Sequence, residues 1–134
     1  NPRLFSDGRR ISTLGSHIDL TPTIAHVLGV PFPEGWQGRS LFDSDRSGRV
    51  YSFAAHRDLI LAVREGKWKY ILDMSTGLEE MYDLDADPDE QHSVPEREPQ
   101  LRQRLRAYLA AWVRVQKERY RQGALTMDRT SHIP

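Results

Sequence analysis

Three short constellations in this sequence carry residue types that could do chemistry. Asp83-x-Asp85-x-Asp87 alternates carboxylates as a calcium loop does, since a hard cation is gathered by several oxygens. The rest of that pattern fails. Pro88 stands at the sixth position, where the sharp turn needs glycine, and Val94 at the twelfth, where a bidentate glutamate is needed. Asp83, Asp87 and Asp89 are instead expected to accept from nearby backbone N–H groups and tie a tight turn. Ser16, His17 and Asp19 are the residue types of a nucleophilic triad, but triads are assembled from distant positions, and neighbours on one helix start do not form one. His56-Arg57-Asp58 is the best local candidate: a proton carrier beside a fixed cation at the end of a strand, where loops gather. The plainer alternative there is a strand-end loop without function.

The remaining candidates are weaker. His17, His26, His92 and His132 read as structural or solvated. Arg102, Arg104, Arg106, Arg114, Lys117, Arg119 and Arg121 would suit phosphates, yet no exposed aromatics interleave with them, so they read as the solvated face of a helix. No catalytic residue and no metal ligand is assigned in this chain.

The elements that position these residues centre on 59–87. Two β-prone runs flank Glu65-Gly66 and read as an antiparallel hairpin, with a short strand following at 80–84. With Glu65-Gly66 as a two-residue loop, Val63 faces Trp68, Leu61 faces Tyr70 and Leu59 faces Leu72, which makes one sheet face apolar. Arg64 with Lys67, Ala62 with Lys69 and Ile60 with Ile71 fall on the other, more solvated face. Glutamate tolerates positive φ poorly, so a three-residue loop with Gly66 in a bulge, shifting the register by one, stays open.

Around this hairpin, 49–55 reads as a further strand. A long helix is expected from about 96–99 to Gln122, with Gly123 as its stop. Leu101, Leu105, Tyr108, Leu109, Trp112 and Val113 share one helical face, expected on the apolar side of the hairpin. A short helix is expected within 16–29, capped by Asp19 or Thr21 and stopped by Gly29, with Leu20, Ile24, Val27 and Leu28 as its buried stripe. The Pro/Gly loop 30–38 holds Phe32 and Trp36, which must cover something apolar. The fold class is α+β: a small antiparallel sheet of three to four strands, a long C-terminal helix and a short N-terminal helix. Residues 1–15 read as a linker, 16–123 as the domain and 124–134 as a tail.

Composition narrows the function classes. A chain of 134 residues suits one domain. Nineteen basic residues balance nineteen acidic ones, so no global field argues for nucleic acid or an anionic membrane. The absence of cysteine excludes disulfides, thiolate zinc sites and a cysteine nucleophile within this chain. The longest apolar run, Leu59 to Val63, is far short of the ~20 residues that span a bilayer. The loop-like start at Asn1 suggests a piece of a longer polypeptide.

Two segments resemble sulfatases of the alkaline phosphatase superfamily. Ser16-His17-Ile18-Asp19-Leu20-Thr21-Pro22-Thr23-Ile24, with Leu28-Gly29-Val30-Pro31 and Gln37-Gly38-Arg39-Ser40-Leu41, is similar to the segment just after their catalytic core. Arg64-Glu65-Gly66-Lys67-Trp68-Lys69-Tyr70-Ile71, with Glu80-Met81-Tyr82-Asp83-Leu84-Asp85-Ala86-Asp87-Pro88-Asp89-Glu90, is similar to their C-terminal signature. His92-Ser93-Val94 departs from the Asn-Leu usual after the acidic turn. The resemblance implies the C-terminal domain of a sulfate ester hydrolase, buttressing an N-terminal catalytic domain of the same polypeptide. It also implies that formylglycine, made from Cys/Ser-x-Pro-x-Arg, and calcium belong to that other domain, since this chain has no such motif. His56 and Arg57 are then candidates for the substrate-cleft rim. Phe32, Trp36 and Leu41 are candidates for the surface facing the catalytic part, with self-association as the risk if it is bare. The alternatives are a phosphoglycerol or phosphoethanolamine transferase of the same superfamily, or a stand-alone binding module.

Overall fold

The structure, a computed structural model, describes residues 10–33, 35–55 and 57–130, and side chains as far as Gln122. A single 3-10 turn, His17–Asp19, leads into α1 (Leu20–Leu28); β1 (Arg49–Ala55), β2 (Leu59–Glu65), β3 (Trp68–Asp73) and β4 (Glu79–Asp83) follow, and α2 (Pro99–Thr130) closes the chain. The strands form one antiparallel sheet in the order β1-β2-β3-β4, so the fold is α+β as expected. Two compact units are present: residues up to Val50 with Arg64–Gly66, and Tyr51–Val63 with the chain from Lys67 onward.

The second unit holds the main core. Leu61, Val63, Tyr70 and Met81 from the sheet meet Leu105 and Leu109 of α2, with Tyr51, Trp68, Leu72, Leu101, Tyr108, Trp112 and Val113 packed around them. All six residues of the expected helical face are therefore in or against the core. Tyr51 and Trp112 stack with ring centroids 5.3 Å apart. Full burial of a leucine contributes roughly 1.5–3 kcal/mol, so this face outweighs the modest helix propensity of the arginine-rich remainder.

The sheet corrects the sequence reading in two ways. The hairpin turn is Gly66-Lys67, one residue later than expected, because Gly66 at φ 57 supplies the left-handed conformation that Glu65 resists. The Met74 N–H donates to the Leu59 carbonyl at 2.9 Å, so Leu59 lies across from Met74 instead of Leu72. A slip of two leaves every side chain on its face, and the apolar face survives the wrong pairing. In the β3–β4 ladder, Tyr70 stands opposite Met81 and Lys69 opposite Tyr82.

The opposite face is also less solvated than expected, since Ala62 and Tyr82 are buried. The loop after β4 folds back over the sheet: Lys69 Nζ donates to both Glu90 carboxylate oxygens at 2.7 and 2.6 Å. The Val94 N–H bonds the Met81 carbonyl at 2.7 Å, and the Met81 N–H bonds Ser93 Oγ at 3.1 Å.

Helix α2 runs through Gly123 to Thr130, past the stop expected there. A glycine inside a helix costs about 1 kcal/mol relative to alanine, which weakens a helix without ending it.

The first unit is built on Asp19. Its carboxylate was expected to cap α1, but it accepts instead from the Ser16 N–H (2.8 Å), the Arg39 N–H (2.9 Å) and Arg46 Nη2 (2.8 Å). Thr23 Oγ1 donates to the Asp19 carbonyl and accepts from the Leu41 N–H, tying α1 to the returning loop. At Gly38 the loop runs so close that any Cβ would collide with the Ile18 carbonyl. Gly29, at φ 67, ends α1 as expected. Most of the expected buried stripe is not buried: Pro22 and Ala25 are the buried residues of α1, Val27 is half-buried, and Leu20, Ile24 and Leu28 are exposed. Phe32 and Trp36 are exposed as well, stacked on each other, and Leu41 is half-buried.

Candidate functional site at one end of the sheet

Antiparallel order places the β1–β2 and β3–β4 connections at the same end of the sheet. Arg57 and Asp58, both exposed, occupy the first connection. His56 lies outside the described residues. The two connections are joined: the Leu59 N–H donates to Ser75 Oγ at 3.3 Å, beside the Met74 to Leu59 bond.

The second connection is a tight turn built on Asp73. Its carboxylate accepts from the Ser75 N–H (2.7 Å), the Thr76 N–H (3.3 Å) and Thr76 Oγ1 (2.8 Å). These bonds, the Thr76 hydroxyl foremost, hold Asp73 below the usual carboxylate range. Exposed Phe53, Leu59, Met74 and Leu78 belong to this end of the sheet. This end of the sheet thus carries an exposed arginine in one connection and exposed apolar residues in and beside the other. A guanidinium such as that of Arg57 can bind an oxyanion through paired N–H donors.

The other constellations have local work. Asp83 accepts from Lys67 Nζ at 2.7 Å and from the Asp85 N–H at 3.2 Å. Asp87 accepts from the Gln91 and His92 N–H groups at 3.0 and 2.8 Å. Lys67 for Asp83 and the Gln91 N–H for Asp87 are the leading causes that lower these two pKa values. Asp89 joins the turn through its carbonyl, which accepts from Gln91 Nε2. Among the described residues no group of three or more His, Asp or Glu side chains could hold a metal ion. The donor set of a calcium site does not fit here.

Ser16 and Asp19 serve the network of the first unit, and His17 is exposed. Burial alone would raise the Asp19 pKa, but the hydrogen bonds from Arg46, Arg39 and Ser16 outweigh it and hold the carboxyl below its ordinary value. On α2, Arg106 pairs with Glu79 at 2.9 Å, Arg102 with Glu96 at 2.8 Å and Arg121 with Glu118 at 3.5 Å. Several of these cations thus have acidic partners. Sequence reasoning missed the reach of Asp19, since its partners Arg39 and Arg46 are 20 and 27 residues away.

Comparison with known proteins gives likenesses to sulfatases. No protein-family model matches the chain. Arylsulfatase K of Xenopus laevis is 29% identical over 129 residues, which cover 79% of this chain and 24% of that protein. Choline-sulfatase of Rhizobium meliloti is 36% identical over 83 residues, covering 54% of this chain and 16% of that protein. A solved structure of a 2-O GAG sulfatase superposes with a TM-score of 0.66 at 24% identity, covering 78% of this chain and 26% of that one. The chain thus spans about a quarter or less of the length of the sulfatases it matches. In sequence the chain is similar to a part of these sulfatases, in fold it resembles a solved one, and both likenesses support a sulfatase C-terminal domain.

Proposed function

We propose that this chain is the non-catalytic C-terminal portion of a sulfuric ester hydrolase and that it contributes the rim of the substrate cleft. The observation that carries the reading is the match to sulfatases over about a quarter of their length, with the Arg64–Ile71 and Glu80–Glu90 signatures folded as the β2–β4 sheet and the loop that caps it. The formylglycine nucleophile and calcium of such enzymes are supplied by the rest of the polypeptide. This chain's own residues bind and orient. Arg57, and His56 as the preceding residue in sequence, are the candidates to offer hydrogen bonds to a sulfate oxygen or to an anionic group of the alcohol being released.

The test uses the full-length polypeptide that contains this chain. Its sequence is expected to hold Cys/Ser-x-Pro-x-Arg, and it is expected to release sulfate from an aryl sulfate, while the 134-residue chain alone releases none. A full-length protein that transfers phosphoglycerol or phosphoethanolamine and leaves aryl sulfates intact would overturn the reading. Within it, Arg57→Ala is expected to raise KM with kcat preserved, because a rim contact binds ground state and transition state alike. An unchanged kcat/KM removes Arg57 from the substrate contacts.

A further inference from the structure

The face of the sheet that α2 covers is bare at one end. Side chains alternate along a strand, so Leu59, Leu61 and Val63 of β2 share that face. Val63 and Leu61 are 0% and 5% exposed, but Leu59 is 43% exposed. On β1, Tyr51 stacks on Trp112 of α2, whereas Phe53, two residues further on, is 67% exposed. On β3, Tyr70 is buried and Leu72 half-buried, and Met74, next in the same alternation, is 52% exposed. Burial thus falls along three neighbouring strands toward the end that carries the β1–β2 and β3–β4 connections. The bond from the Met74 N–H to the Leu59 carbonyl keeps these two residues adjacent.

The size and surroundings of this strip decide what it fits. Phe53, Leu59 and Met74 are far short of the roughly 20–30 residues a side that a stable protein interface uses. A protein seated there would also have to cover Arg57 and Asp58, which immediately precede Leu59 and are exposed, and desolvating charges is costly. A small molecule avoids both difficulties, because its apolar skeleton lies on the strip while the charged loop stays in water. Arg57 adds a cation of the sign that holds an anionic ester at this end.

We infer that Phe53, Leu59 and Met74 form the subsite for the carbon skeleton of the alcohol, so that the substrate is a sulfate ester of an apolar alcohol and not of a sugar. This names the substrate class for the rim on which Arg57 stands, and it rests on the sulfatase reading.

The experiment measures sulfate release from naphthyl sulfate and from a glucose sulfate monoester by the full-length polypeptide. The unsubstituted protein is expected to show the higher kcat/KM on naphthyl sulfate. Phe53→Ser and Met74→Ser, both at exposed positions, are expected to raise KM for naphthyl sulfate about fivefold or more with kcat preserved. Neither is expected to move KM for the glucose ester where that ester is turned over. Ile60→Ser is the control, since Ile60 lies on the opposite face of β2, and it is expected to leave KM for naphthyl sulfate unchanged. A higher kcat/KM on the glucose ester overturns the inference, as does a KM for naphthyl sulfate that Phe53→Ser and Met74→Ser leave in place. A fall in the thermal midpoint of these two variants with KM intact also overturns it, by putting protein on the strip. Hydrolysis of neither ester by the unsubstituted polypeptide overturns the sulfatase reading and this inference with it, whereas hydrolysis indifferent to the substitutions counts against the subsite alone.

Discussion

Arg46 reaches Asp19 across 27 residues of sequence, Nη2 to Oδ2 at 2.8 Å, with both side chains largely out of solvent. The same guanidinium donates to the Arg39, Ser40 and Leu14 carbonyls, so one cation ties together three stretches of the first unit. Arg46→Ala leaves the buried Asp19 carboxylate without its charge partner. Breaking such a pair costs about 3 kcal/mol or more, which should appear as a lower urea midpoint. A midpoint within error of the unsubstituted chain would mean that water replaces the guanidinium freely.

The depressed pKa of Asp19 sets a pH window. A carboxylate whose folded pKa lies below its unfolded value stabilises the fold above the unfolded pKa, here 3.8. That contribution is lost as pH falls through the folded pKa. Urea midpoints between about pH 5 and pH 2 should therefore decline, and Asp19→Asn should flatten the part of the decline that Asp19 causes. Equal slopes for the two proteins would assign the acid sensitivity to other carboxylates.

Gly38 offers a steric test of the same unit. Any Cβ there collides with backbone at Ile18, which cannot swing aside as a side chain would. Gly38→Ala is expected to cost about 2 kcal/mol, within the range for overpacking a tight contact. Gly35→Ala, where a Cβ meets nothing within 4 Å, serves as the matched control and should leave the urea midpoint in place.

In the second unit, Leu105 is fully buried between α2 and the sheet. Leu105→Ala should destabilise by about 3 kcal/mol through lost burial and a residual cavity. Leu101→Ala, at the margin of the same face, should cost less, and chemical denaturation of the two variants checks the order.

The parts of this fold that were legible in the sequence are those in which a repeat reports a burial direction. The face Leu101 to Val113 recurs with the helical period, and every one of its members meets the core. In the hairpin the alternation of side chains identified the apolar face but not the pairing, because a period of two is blind to a slip of two. The turn was decided by the positive φ of Gly66, a single-residue preference that alternation does not encode. The stripe of α1 was misread for a different reason: amphipathicity says which side of a helix is apolar, not whether this chain covers it. At the candidate site, the position of Arg57 at a strand end was readable, whereas the Asp73 turn beside it depends on side-chain bonds over two and three residues that no period reveals.

The return of Ser93 and Val94 to Met81 also governs how the sheet can grow. Strand β4 is one margin of the sheet, and its outward-pointing backbone groups at Met81 are already taken by that returning loop. A strand from another molecule cannot template on it there without first peeling the loop away. The opposite margin of the sheet is β1, and charge or proline substitutions on it, set beside the same substitutions on β4, would read which margin admits strand addition.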